Sequence, residues 1–156
     1  MTRFCDETDF GFGWIRDEFL ERCSHALAVD GAVWIVDPLD GDGVDERIRR
    51  LGHPAGVLQL LDRHDRDCAA FAERFGVPLF VVPTMPVPFE LRVVGDRRWW
   101  REVALWWPER GVLVCGDALG TAGYFVAPGE RLAVHPLLRP MPPRDVFVGL
   151  TPRHVL

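Results

Sequence analysis

The chain has 156 residues, of which 48% are hydrophobic, and carries a formal net charge of −5 at pH 7. This length is enough to bury one sizeable core but is short for two independent domains. The acidic balance gives no electrostatic attraction for nucleic acid or for anionic lipid, so we expect neither a nucleic acid nor a membrane as a partner. All 18 residues in the Lys plus Arg count are arginine, which excludes a Schiff-base lysine.

Cysteine usage and hydropathy indicate the compartment. No Cys-x-x-Cys pair occurs, and this spacing favours reduced, partly buried thiols over a disulfide framework. No apolar run resembles a signal peptide or approaches the ~20 residues that span a bilayer. We therefore expect a cytoplasmic protein. The four cysteines are Cys5, Cys23, Cys68 and Cys115.

The first strong structural signal is a hairpin. Two apolar runs, Ser24–Val29 and Ala32–Asp37, flank the dipeptide Asp30-Gly31. Both turn residues tolerate positive φ, as a type I′ turn requires. The sequence predicts two antiparallel strands here.

A strand and helix alternation follows. The pattern predicts a helix over Val44–Leu51, a buried strand over Gly56–Leu61, a helix over Ala69–Phe75 and a strand over Val77–Pro83. A strand, loop, helix and strand in this order form a βαβ unit, for which parallel pairing is expected.

The second half has a different character. Phe89–Val94, Trp99–Trp107 and Val112–Cys115 are predicted to be strands of an antiparallel meander, and Ala122–Ala127 a further short strand. The tryptophan-rich strand is expected to be buried on both faces, so that Glu102 would need an arginine partner. Early mixed elements followed by a meander predict two sheets with helices outside.

The seven residues after the Gly56–Leu61 strand are the most informative segment. Asp62-Arg63-His64-Asp65-Arg66-Asp67-Cys68 contains three carboxylates, an imidazole and a thiol, which are ligand types that zinc accepts. Catalytic and binding groups collect where parallel strands end and helices begin. The segment predicts a metal site. Two alternatives are a salt-bridged loop with Asp67 as N-cap of the next helix, and a Cys68–His64 nucleophile pair.

This segment, with its flanking strand and helix, resembles the metal-binding segment of the metallo-β-lactamase superfamily, whose motif is His-x-His-x-Asp-His. The Ala26–Asp37 hairpin is similar to that family's early strands, which end in an aspartate. Residues 106–119 resemble the strand–turn–strand that delivers Gly-Asp, here Gly116-Asp117, and in the family this Asp bridges two metals. The resemblance implies an α/β (α+β) fold, an αββα sandwich of two mixed sheets, as one domain over residues 1–156.

The ligand set departs from the family pattern. When Asp67-Cys68 is aligned on the family's Asp-His, Arg63 and Asp65 take the positions of the first two histidines. A guanidinium is a permanent cation with no lone pair to offer a metal, so this alignment loses one ligand outright.

A second alignment, shifted by one residue, stays open. It places Asp62, His64 and Asp67 at the histidine positions and Arg66 at the aspartate position. This register leaves a chemically feasible Asp/His/Asp set but disturbs the register of the helix that follows.

Further family ligands are absent. No histidine lies between His64 and His135, where the family has one before its Gly-Asp strand. The family's last histidine sits in a Gly-His-Gly segment, and this chain ends at Pro152–Leu156, about where that strand begins. We therefore expect the C-terminal strand and helix of the fold to be missing.

Two functions from different classes follow. The first is a metallo-β-lactamase-fold protein with a degraded metal motif, not a competent di-zinc hydrolase, which needs no cofactor and binds an unidentified small molecule or regulates a partner. The second is a mononuclear metal-dependent hydrolase of an ester, thioester or lactone that uses Asp67 and Asp117 with zinc, iron or manganese. Unpaired sheet edges favour a homodimer. The candidate metal ligands are His64, Asp65, Asp67, Cys68, Asp117 and His135.

Overall fold

A computed structural model describes residues 1–18, 20–64 and 66–156. The chain forms two compact units, residues 1–83 (unit 1) and residues 84–156 (unit 2). Unit 1 contains a six-stranded mixed sheet, and unit 2 contains a four-stranded sheet and a two-stranded ribbon.

The sheet of unit 1 follows the order of the sequence. Its strands are β1 (Thr2–Cys5), β2 (Gly11–Arg16), β3 (Cys23–Val29), β4 (Ala32–Val36), β5 (His53–Gln59) and β6 (Leu79–Val81). Strands β1 to β4 pair antiparallel, whereas β5 and β6 continue the sheet in parallel with β4. The predicted parallel βαβ unit is confirmed, although β5 begins and ends earlier than the sequence pattern indicated.

The Asp30-Gly31 hairpin is also confirmed. Val29 is the partner of Ala32 across β3 and β4, and the two turn residues have φ values of 51° and 81°. Positive φ at both central positions is the type I′ geometry that Asp-Gly permits.

Two helices pack on one face of this sheet. They are α1 (Val44–Leu51) and α2 (Cys68–Phe75), and the second ends at Gly76 with a φ of 65°. Alternate residues of the central strands face these helices because side chains alternate across a strand. The resulting core consists of Phe12, Trp14, Ala26, Val33, Ile35, Val44, Ile48, Val57, Cys68, Phe71 and Ala72.

Unit 2 is built around the tryptophan-rich strand. Its main sheet has the order β12-β9-β8-β7, formed by β7 (Glu90–Arg97), β8 (Trp100–Trp107), β9 (Val112–Val114) and β12 (His154–Val155). The meander β7–β8–β9 is antiparallel as predicted, and β12 joins β9 in parallel. A 3₁₀ turn at Pro136–Leu138 and the short helix α3 (Arg144–Phe147) complete the described part of this unit.

Two predictions for unit 2 were wrong. Residues 122–127 form turns rather than a strand, and the ribbon pairs β10 (Leu119–Gly120) with β11 (Ala133–Val134) instead. Trp99 precedes β8 and is 47% exposed, whereas Trp100, Trp106 and Trp107 are buried as expected. Among the described helices, none combines the length and the apolar character needed to cross a bilayer.

Candidate functional site

The predicted site lies where β4 and β5 end. These strands are parallel neighbours, so their carboxyl ends meet at the same edge of the sheet. Asp37 directly follows β4 and has a φ of 44°, a left-handed conformation that aspartate adopts more readily than most residues. Residues 60–67 follow β5 and lead into α2. The sequence segment singled out above therefore lies beside the aspartate that ends the hairpin.

A buried histidine–aspartate pair forms at this edge. The Nδ1 atom of His64 lies 2.9 Å from Oδ2 of Asp37, and both side chains are buried. The other carboxylate oxygen, Oδ1, accepts a hydrogen bond from the backbone N–H of Leu60 at 3.0 Å. The carboxylate thus links the ends of two strands and fixes one nitrogen of the imidazole.

Arg66 brings a permanent cation to the same edge. Its guanidinium donates to the carbonyl oxygens of Cys23 at 2.6 Å and Asp37 at 3.1 Å. The Nε atom of this arginine is buried without a hydrogen-bond partner among the described residues. The side chain ties the start of β3 to the end of β4.

The remaining predicted ligands in unit 1 have structural contacts of their own. Oδ2 of Asp67 accepts the backbone N–H of Asp40 at 2.7 Å. Asp67 occupies the N-cap position of α2, but its side chain makes no capping hydrogen bond, so that prediction was wrong in its mechanism. The Cys68 thiol is buried in the core and donates to the carbonyl oxygen of His64 at 3.7 Å. Asp65 lies outside the described residues.

In unit 2, Asp117 belongs to a loop that surrounds a buried carboxylate. Oε1 of Glu102 accepts the backbone N–H groups of Gly116, Asp117 and Ala118 at 2.9, 3.1 and 3.1 Å. Oε2 accepts the indole N–H of Trp100 at 2.8 Å. The partners of Glu102 are therefore backbone amides and an indole, which corrects the predicted arginine. Burial raises the pKa of Glu102 to about 7, while these donors oppose that shift.

His135 lies close to this loop. Its backbone N–H donates to the carbonyl oxygen of Ala118, and its Nδ1 accepts the backbone N–H of Leu137 at 3.2 Å. The imidazole packs against the rings of Trp100 and Phe125, with centroid distances of 5.0 and 5.2 Å. The predicted proximity of His135 to the Asp117 loop is thus present, with aromatic rings around the imidazole.

The predicted ligands are divided between the two units. Asp67, His64 and Cys68 belong to unit 1, and Asp117 and His135 belong to unit 2. Among the described residues of unit 1, His64, Asp67 and Cys68 do not bring three ligand atoms within 4.8 Å of one another. Asp37 and Arg66 were not among the predicted ligands. Their hydrogen bonds hold the strand ends together.

Comparison with known proteins bears on the fold. No protein-family model matches the sequence, and a search of the curated proteins gives no match. Solved structures do match. TMB-1 is 10% identical with a TM-score of 0.65, over 96% of this chain and 84% of that one. A DIM-1 metallo-β-lactamase is 15% identical with a TM-score of 0.61, over 86% of this chain and 77% of that one.

A metallo-β-lactamase from Pontibacter korlensis is similar as well, at 9% identity and a TM-score of 0.58, over 79% of this chain and 74% of that one. Identities this low establish the fold alone. The chain is an α+β protein with the metallo-β-lactamase fold, and the predicted fold relationship is confirmed.

Proposed function

We propose that this protein has lost the metal-dependent hydrolysis associated with its fold and acts by binding a small molecule or regulating a partner. The observation that carries the proposal is the guanidinium of Arg66, which donates to two carbonyl oxygens at the strand ends where the predicted ligands collect. A fixed cation at this edge repels a divalent ion and has no lone pair with which to bind one.

The other side chains at this edge support the same conclusion. The hydrogen bond to Asp37 engages Nδ1 of His64, and Asp67 accepts the backbone N–H of Asp40. A carboxylate also orients histidine ligands in genuine metal sites. A hydrolytic zinc, however, needs three protein ligands and an open position for water, and the described residues at this edge do not supply three converging ligand atoms.

A groove in unit 2 supports a binding role. A cavity of about 290 Å³ lies between β7, the start of β8 and the proline-rich segment after β11, and its lining is mainly apolar. Trp99, Leu137 and Met141 contribute to it and are 47%, 62% and 59% exposed. Ligand pockets in proteins are typically concave and apolar with a few polar groups, and this volume suits a small apolar molecule.

Activity assays on matched variants test the loss of hydrolysis. Ester, thioester and lactone substrates would be offered with added zinc, iron or manganese to the wild type and to Asp67→Ala, Asp117→Ala and Asp42→Ala. We expect background rates throughout. Metal-dependent hydrolysis that disappears in Asp67→Ala or Asp117→Ala but persists in the exposed control Asp42→Ala would contradict the proposal and favour the mononuclear hydrolase.

The binding role is tested with a fluorescent apolar probe. We expect 1-anilinonaphthalene-8-sulfonate to bind the folded protein and Trp99→Ala to weaken this binding by about tenfold, which corresponds to about 1.4 kcal/mol. Val148→Ala, a change at another exposed apolar residue of unit 2, is the matched control. Equal affinity in all three proteins would remove the groove as the binding site.

A further inference from the structure

Four potential metal ligands meet on one face of the sheet in unit 1. Cys5 ends β1 and Asp6 follows it, while Cys23 and His25 lie on β3. Residues two apart on a strand point to the same face, so Cys23 and His25 are neighbours on it. None of the four is among the ligands that the sequence predicted.

The distances within this group are short. The Cys5 and Cys23 sulfur atoms are 3.8 Å apart, and Nε2 of His25 lies 3.4 Å from the Cys23 sulfur. The same nitrogen lies 3.5 Å from Oδ2 of Asp6. Ligand atoms of Cys5, Asp6 and Cys23 all lie within 4.8 Å of one another, a grouping that is unique among the described residues.

Three of the six separations among these four ligand atoms match the edges of a tetrahedral zinc site; His25 lies outside the grouping of Cys5, Asp6 and Cys23 and would move toward Cys5 on binding. Zinc binds sulfur at about 2.3 Å and nitrogen or oxygen at about 2.0–2.1 Å, so neighbouring ligands of a tetrahedron are separated by about 3.3–3.8 Å. The three distances given above, 3.4, 3.5 and 3.8 Å, fall in that interval. Two thiolates, a carboxylate and an imidazole are a chemically suitable set for zinc.

Gly13 makes room for the group. It lies on β2 as the Cα partner of both Cys5 on β1 and His25 on β3. A Cβ atom at Gly13 would lie 2.9 Å from the Cys5 sulfur, 2.9 Å from Cδ2 of His25 and 3.1 Å from Oδ2 of Asp6. Three of the four ligand side chains therefore meet over Gly13, where β2 has no side chain.

The backbone at Asp6 is strained in a way that suits this arrangement. Its φ is 49°, in the left-handed region, which costs a non-glycine residue on the order of 1 kcal/mol or more. A residue keeps such a backbone conformation where its surroundings hold it in place. Here the left-handed conformation of Asp6 directs its carboxylate toward His25.

We propose that Cys5, Asp6, Cys23 and His25 bind a structural zinc ion that ties the edge strand β1 to β3 across β2. Four protein ligands leave no open position for a reactive water, so the site stabilises the sheet and is not catalytic. Binding releases the protons of the Cys5 thiol and the His25 imidazole to solvent, and the metal adds its binding free energy to the stability of unit 1.

The side chains of this group also perturb one another's pKa. A hydrogen bond from Cys5 lowers the pKa of Cys23 to about 5, assisted by the charge on His25 and opposed by burial. Burial lowers the pKa of His25, but the negative charge of Cys23 and contact with Asp6 outweigh it and raise that pKa to about 9. The hydrogen bond with Cys23 raises the pKa of the Cys5 thiol, so this thiol keeps its proton until a metal displaces it.

A direct disulfide is the competing use of the two cysteines. Their strands are separated by β2, and two strand spacings amount to about 9–10 Å. Cysteines whose Cα atoms are more than about 7 Å apart cannot be bridged without backbone movement. The geometry therefore favours a metal over an S–S bond.

Metal analysis of the full chain, purified under reducing conditions and dialysed after incubation with zinc, tests the proposal. We expect one zinc per chain with two sulfur ligands at about 2.3 Å by X-ray absorption. Cobalt substitution should give thiolate-to-cobalt charge transfer and the strong visible bands of a tetrahedral ion. A chain without bound zinc, a cobalt spectrum without thiolate bands, or an unreactive Cys5–Cys23 disulfide would overturn it.

Matched variants locate the ion. Cys23→Ala and Gly13→Ala should abolish zinc binding, and Cys115→Ala and Gly123→Ala should keep it, because Gly123 has open space around it. Asp6→Asn tolerates the same left-handed backbone and should weaken zinc binding at least about tenfold while the protein stays folded. Asp67→Ala should leave zinc content unchanged. Zinc lost in Asp67→Ala but retained in Asp6→Asn and Cys23→Ala would place the ion elsewhere.

Discussion

His64 and Asp37 form a buried pair in which Nδ1 lies 2.9 Å from Oδ2, across the ends of two parallel strands. The second oxygen of Asp37 accepts the backbone N–H of Leu60, so one carboxylate contacts two buried polar groups. The pair is therefore part of the structural framework at the edge where the fold's chemistry would be expected.

Replacing Asp37 should destabilise the protein in proportion to the partners it loses. Asp37→Ala removes the acceptor of the buried Leu60 N–H, the 2.9 Å contact of His64 and a residue suited to positive φ, so we expect a loss of about 2–4 kcal/mol in the free energy of unfolding. Asp37→Asn keeps the shape and one acceptor and should cost less than half as much. Urea denaturation measures both, and equal losses would show that the negative charge of the carboxylate, and not its shape, carries the stabilisation.

The local features of the fold were predictable from the sequence. Asp30-Gly31 specified its turn because the φ values it permits select one hairpin geometry. Helix α1 was predicted because Val44 and Ile48 repeat at helical spacing and Gly52 ends the pattern. These signals depend on neighbours in the chain, so one sequence was enough.

Long-range partnerships were not predictable in the same way. The three amides that bind Glu102 lie 14 to 16 residues further along the chain, and nothing in the sequence marks a backbone N–H as a partner. The segment 122–127 has strand-like composition, yet β10 pairs with β11 at Leu119 and Val134 instead. Tertiary pairing overrode local propensity there.

The cysteine group illustrates the same limit. The spacing of Cys23 and His25 was a usable signal, because it places both residues on one face of a strand. The contribution of Cys5 and Asp6 depends on β1 pairing with β2, and Gly13 matters only because those strands pair in this register. Neither the contribution of Cys5 and Asp6 nor the role of Gly13 could be predicted, because both depend on pairing between strands that are separated in the sequence.

Glu102 should make stability depend on pH. Burial raises its pKa to about 7 in the folded state, above the value of 4.5 for an ordinary glutamate. The folded protein therefore takes up a proton below pH 7, whereas the unfolded chain does so only near 4.5. Its contribution is complete below about pH 4.5 and is lost as the pH rises through 7, with an upper limit of about 3 kcal/mol.

Glu102→Gln isolates this effect because glutamine does not titrate. The quantity to follow is the unfolding free energy of the wild type minus that of the variant. Between pH 4.5 and 8, we expect this difference to be largest at the acid end. A difference that does not vary with pH would mean that the four N–H donors keep Glu102 ionised across this interval.

Gly31 should be intolerant of a side chain for conformational reasons alone. Its φ is 81° and a Cβ atom there meets no neighbour within 4 Å, so Gly31→Ala creates strain without a clash. We expect a loss of about 1 kcal/mol in unfolding free energy. Gly123→Ala, which also has open space but no positive φ, should be within about 0.5 kcal/mol of the wild type. Similar losses in both would contradict the turn assignment.

The four cysteines should divide into two classes when the metal-stripped, folded protein is alkylated with iodoacetamide. Cys5 and Cys23 are partly exposed and should react, Cys5 more slowly because its hydrogen bond with Cys23 raises its thiol pKa, whereas Cys68 and Cys115 are buried and should react only after denaturation. Burial also raises the pKa of Cys115 well above its usual range, which keeps it a thiol and slows its reaction further. Peptide mass spectrometry assigns each site. Added zinc should protect Cys5 and Cys23 together if they share an ion. Labelling of Cys68 in the folded protein would contradict its place in the core between α2 and the sheet, because a thiol buried there must wait for that helix to detach.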